Sequence, residues 1–279
     1  MRIAAFADLH CGFGDFRAMD KAQEIATQFG ADVVVIAGDV TEHDVQDPFY
    51  HLTGFKKPVV YCMGNHEFAG KTVNQKVTEI KELQERYDGY NIYCLDVLGV
   101  VTLEGVMFGG GCLWYDGTLG SLPPERKAEL MKVIDPDWFD CRIKQFDALK
   151  EHKRCLEMME PLKHHHGTKV MVTHTCPHKQ LNWFEYGMPL SKFNIYSGCA
   201  DILSEFHPDI AICGHTHKQV IANIDGVRAF NIGNDYYWYG QKVLYSIIET
   251  NMPENKGTGE STDQSEETHN VSQTPYQGA

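Results

Sequence analysis

Eight side chains able to bind a metal ion or carry a proton stand just beyond short apolar runs. Asp8 and His10 follow the run from Arg2 to Ala7, and Asp39 follows Val33 to Ala37 and one glycine. Asn65 and His66 follow Val59 to Cys62, His174 follows Lys169 to Thr173, and His215 and His217 follow Ile210 to Cys213. Imidazole, carboxylate and a single amide are nitrogen and oxygen ligands, which suit Mn, Fe, Zn, Co or Ni better than a thiolate-seeking metal. They outnumber what one four-coordinate ion needs. Two divalent ions sharing a bridging carboxylate use them most economically. Their four positive charges exceed the two negative charges of Asp8 and Asp39 plus one from a bridging hydroxide. The centre stays net positive, attracts a phosphoryl group and stabilises charge building on its oxygens, which is the chemistry of phosphate-ester hydrolysis.

The apolar runs identify the elements that must hold these groups. An all-apolar run bounded by polar breakers reads as a strand buried on both faces, and ligands bind beyond the carboxyl ends of such strands. Met19, Ala22, Ile25, Ala26 and Phe29 recur at helical spacing, and Gly30 closes that helix. With the strands on either side this is a β-α-β unit of a parallel sheet. Val73, Val77, Ile80, Leu83 and Tyr87 mark a second helix, and Ile143 to Met159 a third that runs up to Pro161. Ile92 to Leu95 and two runs within 100–108, turning at Gly105, read as strands, and 197–206 as a short helix. Asp225-Gly226 between Val220–Ile224 and Val227–Phe230 predicts a β-hairpin, and Val243 to Ile248 a last strand. Residues 109–142, rich in glycine, proline and aromatics, read as either a packed loop or a lid over a site. The catalytic domain is thus expected over 1–250, with 109–142 as a lid or insertion. Residues 251–279 are dominated by Glu, Ser, Thr, Asn, Gln and Gly and are expected to form a disordered polar tail.

Composition narrows the class. A hydrophobic fraction of 43% supplies a sizeable core, and a net charge of −13 argues against broad binding to nucleic acid or anionic lipid. Nine cysteines occur without a CxxC pair, several of them in apolar strands (Cys62, Cys94, Cys213), which fits a reducing cytoplasm better than a disulfide framework. No apolar run approaches the roughly 20 residues of a membrane span, and the N-terminus opens on a strand rather than a signal-peptide pattern.

Taken together, Asp8-Leu9-His10, Gly38-Asp39, Gly64-Asn65-His66-Glu67, Val172-Thr173-His174 and Gly214-His215-Thr216-His217 resemble the calcineurin-like metallophosphoesterase superfamily, in the family's order across most of residues 1–235. The resemblance implies an α/β (α+β) fold in which two mixed β-sheets pack face to face with flanking helices, a four-layer αββα sandwich. It implies that Asp8, His10 and His217 hold a first metal, that Asn65, His174 and His215 hold a second, and that Asp39 bridges them. Mn is the expected ion, with Fe, Zn, Ni or Co as alternatives. His66 would be catalytic rather than a ligand, contacting the phosphate and protonating the leaving oxygen. The protein Ser/Thr phosphatases of the superfamily carry Asp-Arg-Gly after the bridging aspartate, whereas Val40-Thr41-Glu42-His43 stands here. The ending at His217 looks more like the small bacterial and phage phosphodiesterases. A phosphodiester is therefore the expected substrate, as a phosphorylated small molecule or nucleotide. A phosphomonoester is the alternative. A nuclease is less favoured, since no capping domain follows the core, and a non-catalytic scaffold less still, since no ligand is missing.

Other conspicuous residues have plainer readings. Glu67 either orients a ligand or is a solvated helix-start glutamate. His164-His165-His166 reads as a solvated turn, and His178 as a pocket or surface-loop residue. Trp114, Tyr115, Trp183, Phe184 and Tyr186 read first as packing and second as a nucleobase platform. Asp235, Tyr236, Tyr237 and Trp238 read as packing near the site.

Overall fold

Valine, isoleucine and alanine runs too apolar for a surface must be covered on both sides, and the chain meets that demand by stacking two sheets. A computed structural model describes residues 1–12, 15–42, 46–120, 122–182, 194–234 and 243–250. The expectations for Trp183, Phe184, Tyr186, Asp235, Tyr236, Tyr237, Trp238 and the tail 251–279 lie outside the described residues. The strands, in chain order, are β1 (Arg2–Phe6), β2 (Val33–Ala37), β3 (Val59–Cys62), β4 (Ile92–Cys94), β5 (Val100–Leu103), β6 (Val106–Gly111), β7 (Lys169–Thr173), β8 (Ile210–Cys213), β9 (Gln219–Ile224), β10 (Val227–Ile232) and β11 (Ser246–Glu249). One sheet has the order β11-β1-β2-β3-β4 and the other β5-β6-β7-β8-β10-β9. β1 to β4 run parallel, as do β6, β7, β8 and β10, while β11, β5 and β9 are antiparallel edges.

Side chains alternate across a strand, and that alternation builds the layers. Ile3, Ala5, Val33, Val35 and Val60 of the first sheet meet Phe108, Val170, Val172, Ile210, Ile212 and Phe230 of the second in one buried cluster. The opposite face of the first sheet, with Phe6, Val34, Ile36 and Tyr61, is covered by Met19, Ala22 and Ile25 of the helix Arg17–Gln28 and by Ile80 and Leu83 of the helix Val73–Arg86. The outer face of the second sheet, with Met171, Ala211 and Ala229, packs on Cys155, Met159, Leu162, Leu203 and Phe206. Helix, sheet, sheet and helix thus form the expected four-layer αββα sandwich. The parallel strands send their carboxyl ends to one edge of it.

Some expectations shift in detail. Gly109, Gly110 and Gly111 continue β6 instead of opening an irregular segment, and Pro124–Lys132 is a helix. The helix expected from Ile143 begins at Ala148, where the Asp147 carboxylate accepts the Lys150 N–H at 3.0 Å. β4 ends at Cys94, and Leu95 opens the short helix Leu95–Leu98. Of 197–206 only Leu203–Phe206 is helical. The Asp225-Gly226 hairpin forms as expected, both residues at positive φ and Ile224 opposite Val227. Phe108 fills the space between the sheets with no exposed surface. Replacing it by alanine is expected to cost about 3–5 kcal/mol of unfolding free energy. Urea titration measures this, and a cost well under 1 kcal/mol would show that the sheets do not pack as described.

Candidate metal centre

The strand ends deliver their side chains by an unusual backbone route. Among the described residues thirteen non-glycine positions have positive φ, and five of them are Asp8, His10, Asp39, His215 and His217. Each such conformation costs on the order of 1–3 kcal/mol and persists only where the surroundings impose it. Here the loops impose it on one another. The Asp8 N–H donates to the Gly38 carbonyl at 3.0 Å and the His10 N–H to the Asp39 carbonyl at 2.9 Å. Both Asp8 carboxylate oxygens accept the His215 N–H at 3.1 Å, and Asp39 Oδ1 accepts the His66 N–H at 3.0 Å. The glycines ahead of the polar residues have a steric reason. A Cβ on Gly38 would lie 2.3 Å from His174 Nδ1, and one on Gly64 would lie 2.0 Å from Asp39 Oδ1.

The seven expected ligands come together as two groups. Ligand atoms of Asp8, His10, Asp39 and His217 lie within 4.8 Å of one another, and so do those of Asp39, His174 and His215. Asn65 joins the second group, its Oδ1 3.0 Å from His174 Nε2. Asp39 belongs to both groups and is 1% exposed.

Backbone carbonyls set the direction of three imidazoles. His174 Nδ1 donates to the Ala37 carbonyl at 3.0 Å, His215 Nε2 donates to the Tyr196 carbonyl at 3.2 Å, and His217 Nδ1 donates to the Asn234 carbonyl. A ring nitrogen that donates to a carbonyl leaves the other nitrogen with its lone pair, as in metal-ligating histidines. The consequence is a crowd of acceptors. His174 Nε2 lies 3.0 Å from Asn65 Oδ1, 3.1 Å from His215 Nδ1 and 3.3 Å from Asp39 Oδ2. A proton on His174 Nε2 serves only one of these neighbours at a time. A divalent cation serves all of them, and ligand atoms about 2.0–2.2 Å from one ion stand roughly 3.0–3.5 Å apart. The donor set therefore fits a metal ion at the second group, and its shared Asp39 extends the fit to the first.

Burial works against charge on Asp8, Asp39, His174, His215 and His217. His174 still rises to about 10, because Asp39 and then Asp8 outweigh its burial. Burial lifts Asp8 to about 6 against the pull of His174. His215 is driven far below the ordinary histidine value by burial and then by His174, and burial brings His217 down to about 4. A neutral imidazole is the form that binds metal, so His215 and His217 offer it directly, whereas His174 gives up a proton when an ion binds.

His66 lies beside these groups, its Nε2 4.0 Å from Asp39 Oδ2. Its Nδ1 contacts Glu42 Oε2 at 2.8 Å, while Glu42 Oε1 lies 2.9 Å from His10 Nδ1. Burial would lower His66, but Asp39 and then Glu42 outweigh it and carry the ring up to about 9. Phe139 stacks on the ring at 3.8 Å and 12°. A held, cationic imidazole beside the group that would bind phosphate can give a proton to a departing oxygen.

The supporting residues were less visible in the sequence. Glu67 is buried and accepts the Thr41 N–H at 2.9 Å and the Gly64 N–H at 2.6 Å, so it clasps the loops after β2 and β3 rather than facing solvent. Asp96 does likewise for Met63 and Cys112, at 2.7 and 2.8 Å. Of Glu42, Asp96 and Asp140, only Asp96 follows an apolar run, Ile92 to Leu95, and that is the one signal of this kind the sequence offers for them. Trp138 and Phe139, from the segment expected to be loop or lid, stand against His215 and His66. Trp114 and Tyr115 are core residues. His178 is buried and caps a local turn by accepting the Gln180 N–H at 3.1 Å, and His164 to His166 sit in a surface turn, away from both groups.

Known proteins place this geometry in context. The chain superposes on phosphopantetheinyl hydrolase from Mycobacterium tuberculosis with a TM-score of 0.65 and 17% identity, over 92% of this chain and 98% of that one. It superposes on a dimetal phosphatase from Danio rerio with a TM-score of 0.51 and 12% identity, over 88% and 91%. At these identities the likeness concerns the fold. No curated protein matches the chain in sequence. The family model described as calcineurin-like phosphoesterase matches residues 1–219, which contain every one of the strand-end residues above, and the chain belongs to that family.

Proposed function

We propose that the chain is a dinuclear metal-dependent phosphoesterase acting on a phosphodiester. The observation that carries this reading is the pair of ligand groups sharing Asp39. Asp8, His10 and His217 would hold one ion, Asn65, His174 and His215 the other, with Asp39 between them. Mn²⁺ suits this nitrogen and oxygen set. When bound, such ions supply a nucleophile from water near neutral pH and draw off charge from the phosphoryl oxygens.

The chain's own residues do the rest. Ala37, Tyr196 and Asn234 aim the imidazoles through their carbonyls. Glu42 holds His66 by Nδ1 and so turns Nε2 toward the centre. From there Nε2–H gives its proton to the leaving oxygen, and the Phe139 stack keeps the ring from turning away. That help matters wherever the leaving group departs as an alkoxide. Val40 and Thr41 in place of an arginine-bearing sequence favour the diester over protein phosphatase activity. All nine cysteines are free and only Cys141 is exposed, which supports a reducing, cytoplasmic setting.

Added Mn²⁺ should raise the melting temperature of the wild-type chain. Saturation a hundredfold above Kd stabilises by about 2.7 kcal/mol per site. Asp39→Asn should lose most of the shift. A wild-type chain indifferent to Mn²⁺, Fe²⁺, Zn²⁺, Co²⁺ and Ni²⁺ contradicts the dinuclear reading.

Hydrolysis of bis-p-nitrophenyl phosphate should exceed that of p-nitrophenyl phosphate. His66→Gln should lower kcat on a dialkyl phosphodiester by about 10²–10⁴-fold with metal content unchanged, and by less on bis-p-nitrophenyl phosphate, whose p-nitrophenolate leaves without a proton. Faster turnover of the monoester would reassign the substrate class, and a His66→Gln variant of wild-type kcat on the dialkyl diester would remove the proton-donor role.

A further inference from the structure

Asn65 poses a problem that the strand ends leave unsolved. Its amide has an oxygen and a nitrogen of nearly the same size, and only the oxygen can face a cation. Something must decide which end points inward. The deciding group is Asp140, from the turn Phe139–Arg142, more than seventy residues away in sequence.

We propose that Asp140 is a positioning residue for the second metal, fixing the Asn65 amide with its oxygen toward the centre. This rests on the dinuclear reading above. Asp140 Oδ1 accepts from Asn65 Nδ2 at 2.8 Å. A carboxylate oxygen can only accept, so a reversed amide would set two acceptor oxygens at that distance. The orientation that satisfies Asp140 is the one that puts Asn65 Oδ1 3.0 Å from His174 Nε2.

Asp140 is itself held. Its Oδ2 accepts from the Tyr115 hydroxyl and from Trp138 Nε1, both at 2.9 Å, and the residue has no exposed surface. All three donors are neutral. Among the described residues no Lys, Arg or His lies within ion-pair distance of this carboxylate. An acid buried without a cationic side chain is costly. One standing directly behind a metal ligand has the ion itself as countercharge, the arrangement of a carboxylate behind a ligating group. Tyr115 packs against Tyr196, whose carbonyl orients His215, so the same network reaches a second ligand of that ion.

Another cluster of ligand types, Asp116, His152 and Cys199, carries no such case. His152 Nδ1 is committed to the Leu113 carbonyl at 2.9 Å, and Asp116 Oδ1 to Thr118.

Titration of the full-length chain with Mn²⁺, followed by calorimetry and by the EPR signal of free Mn²⁺, tests the role without reference to turnover. Asp140→Leu should weaken one of two Mn²⁺ equivalents by about 10–100-fold and leave the other unchanged. The decisive variant exchanges the partners. Asn65→Asp alone sets two carboxylates against each other and should lose the same equivalent that Asp140→Leu weakens. Asn65→Asp with Asp140→Asn restores a donor facing an acceptor, and leaves an oxygen for Tyr115 and Trp138. It should recover the second Mn²⁺ to within about tenfold of wild type, by the same measure of outer-ligand effects.

Unchanged affinities in Asp140→Leu overturn the proposal. So does an exchange that binds and folds no better than Asn65→Asp, which also decides the matter if Asp140→Leu does not fold. A wild-type chain that takes up two Mn²⁺ but cleaves no phosphate ester removes the functional reading and leaves this one standing. A wild-type chain that takes up none overturns both.

Discussion

Too many lone pairs converge on too small a space, and the architecture of the strand ends follows from that. His215 Nδ1, Asn65 Oδ1 and Asp39 Oδ2 all crowd within 3.0–3.3 Å of His174 Nε2, and Asp39, Asn65 and His174 are buried. Protons relieve such crowding one contact at a time. A small divalent cation relieves all of it together, and its charge offsets the burial of Asp8 and Asp39. The rise of His174 and the depression of His215 and His217 are two responses to one field, set by burial and by which rings face the carboxylates.

The scaffold is arranged to impose that crowding. Two sheets bury Val, Ile and Ala on both faces, so their strands are rigid, and parallel strands end together at one edge. The strand-end loops then enter the left-handed region at Asp8, His10, Asp39, His215 and His217. Glu67 and Asp96 clasp neighbouring loops through pairs of backbone N–H groups. Strain at these residues is thus opposed by hydrogen bonds just behind them. This division of labour is how a rigid core holds reactive groups in geometry they would not adopt alone.

The sequence was legible where one periodicity or one steric rule governed. An apolar run ending in a polar residue marks a buried strand and the side chain at its end, so the positions of Asp8, Asp39, Asn65, His174 and His215 at the strand ends are legible in the sequence. Gly38 and Gly64 were readable as parts of motifs, and their reason is the lack of room for a Cβ beside His174 and Asp39. Asp140 and Glu42 escaped. They sit in turns whose conformation is set by tertiary hydrogen bonds, and nothing local distinguishes them from solvated carboxylates. Ile143 and Phe146 mimic a helical face, yet the helix waits for the Asp147 cap, because those apolar side chains are used by the loop packed on the first core. The glycine triplet at 109–111 suggested a break, yet a strand packed closely between neighbours tolerates glycine.

Anomalous diffraction from crystals grown with Mn²⁺, recorded at the manganese edge, tests the central claim most directly. The account predicts two peaks about 3.5–4 Å apart, astride the Asp39 carboxylate, one among Asp8, His10 and His217 and the other among Asn65, His174 and His215. A single peak away from Asp39, or none among these side chains at saturating Mn²⁺, would contradict it.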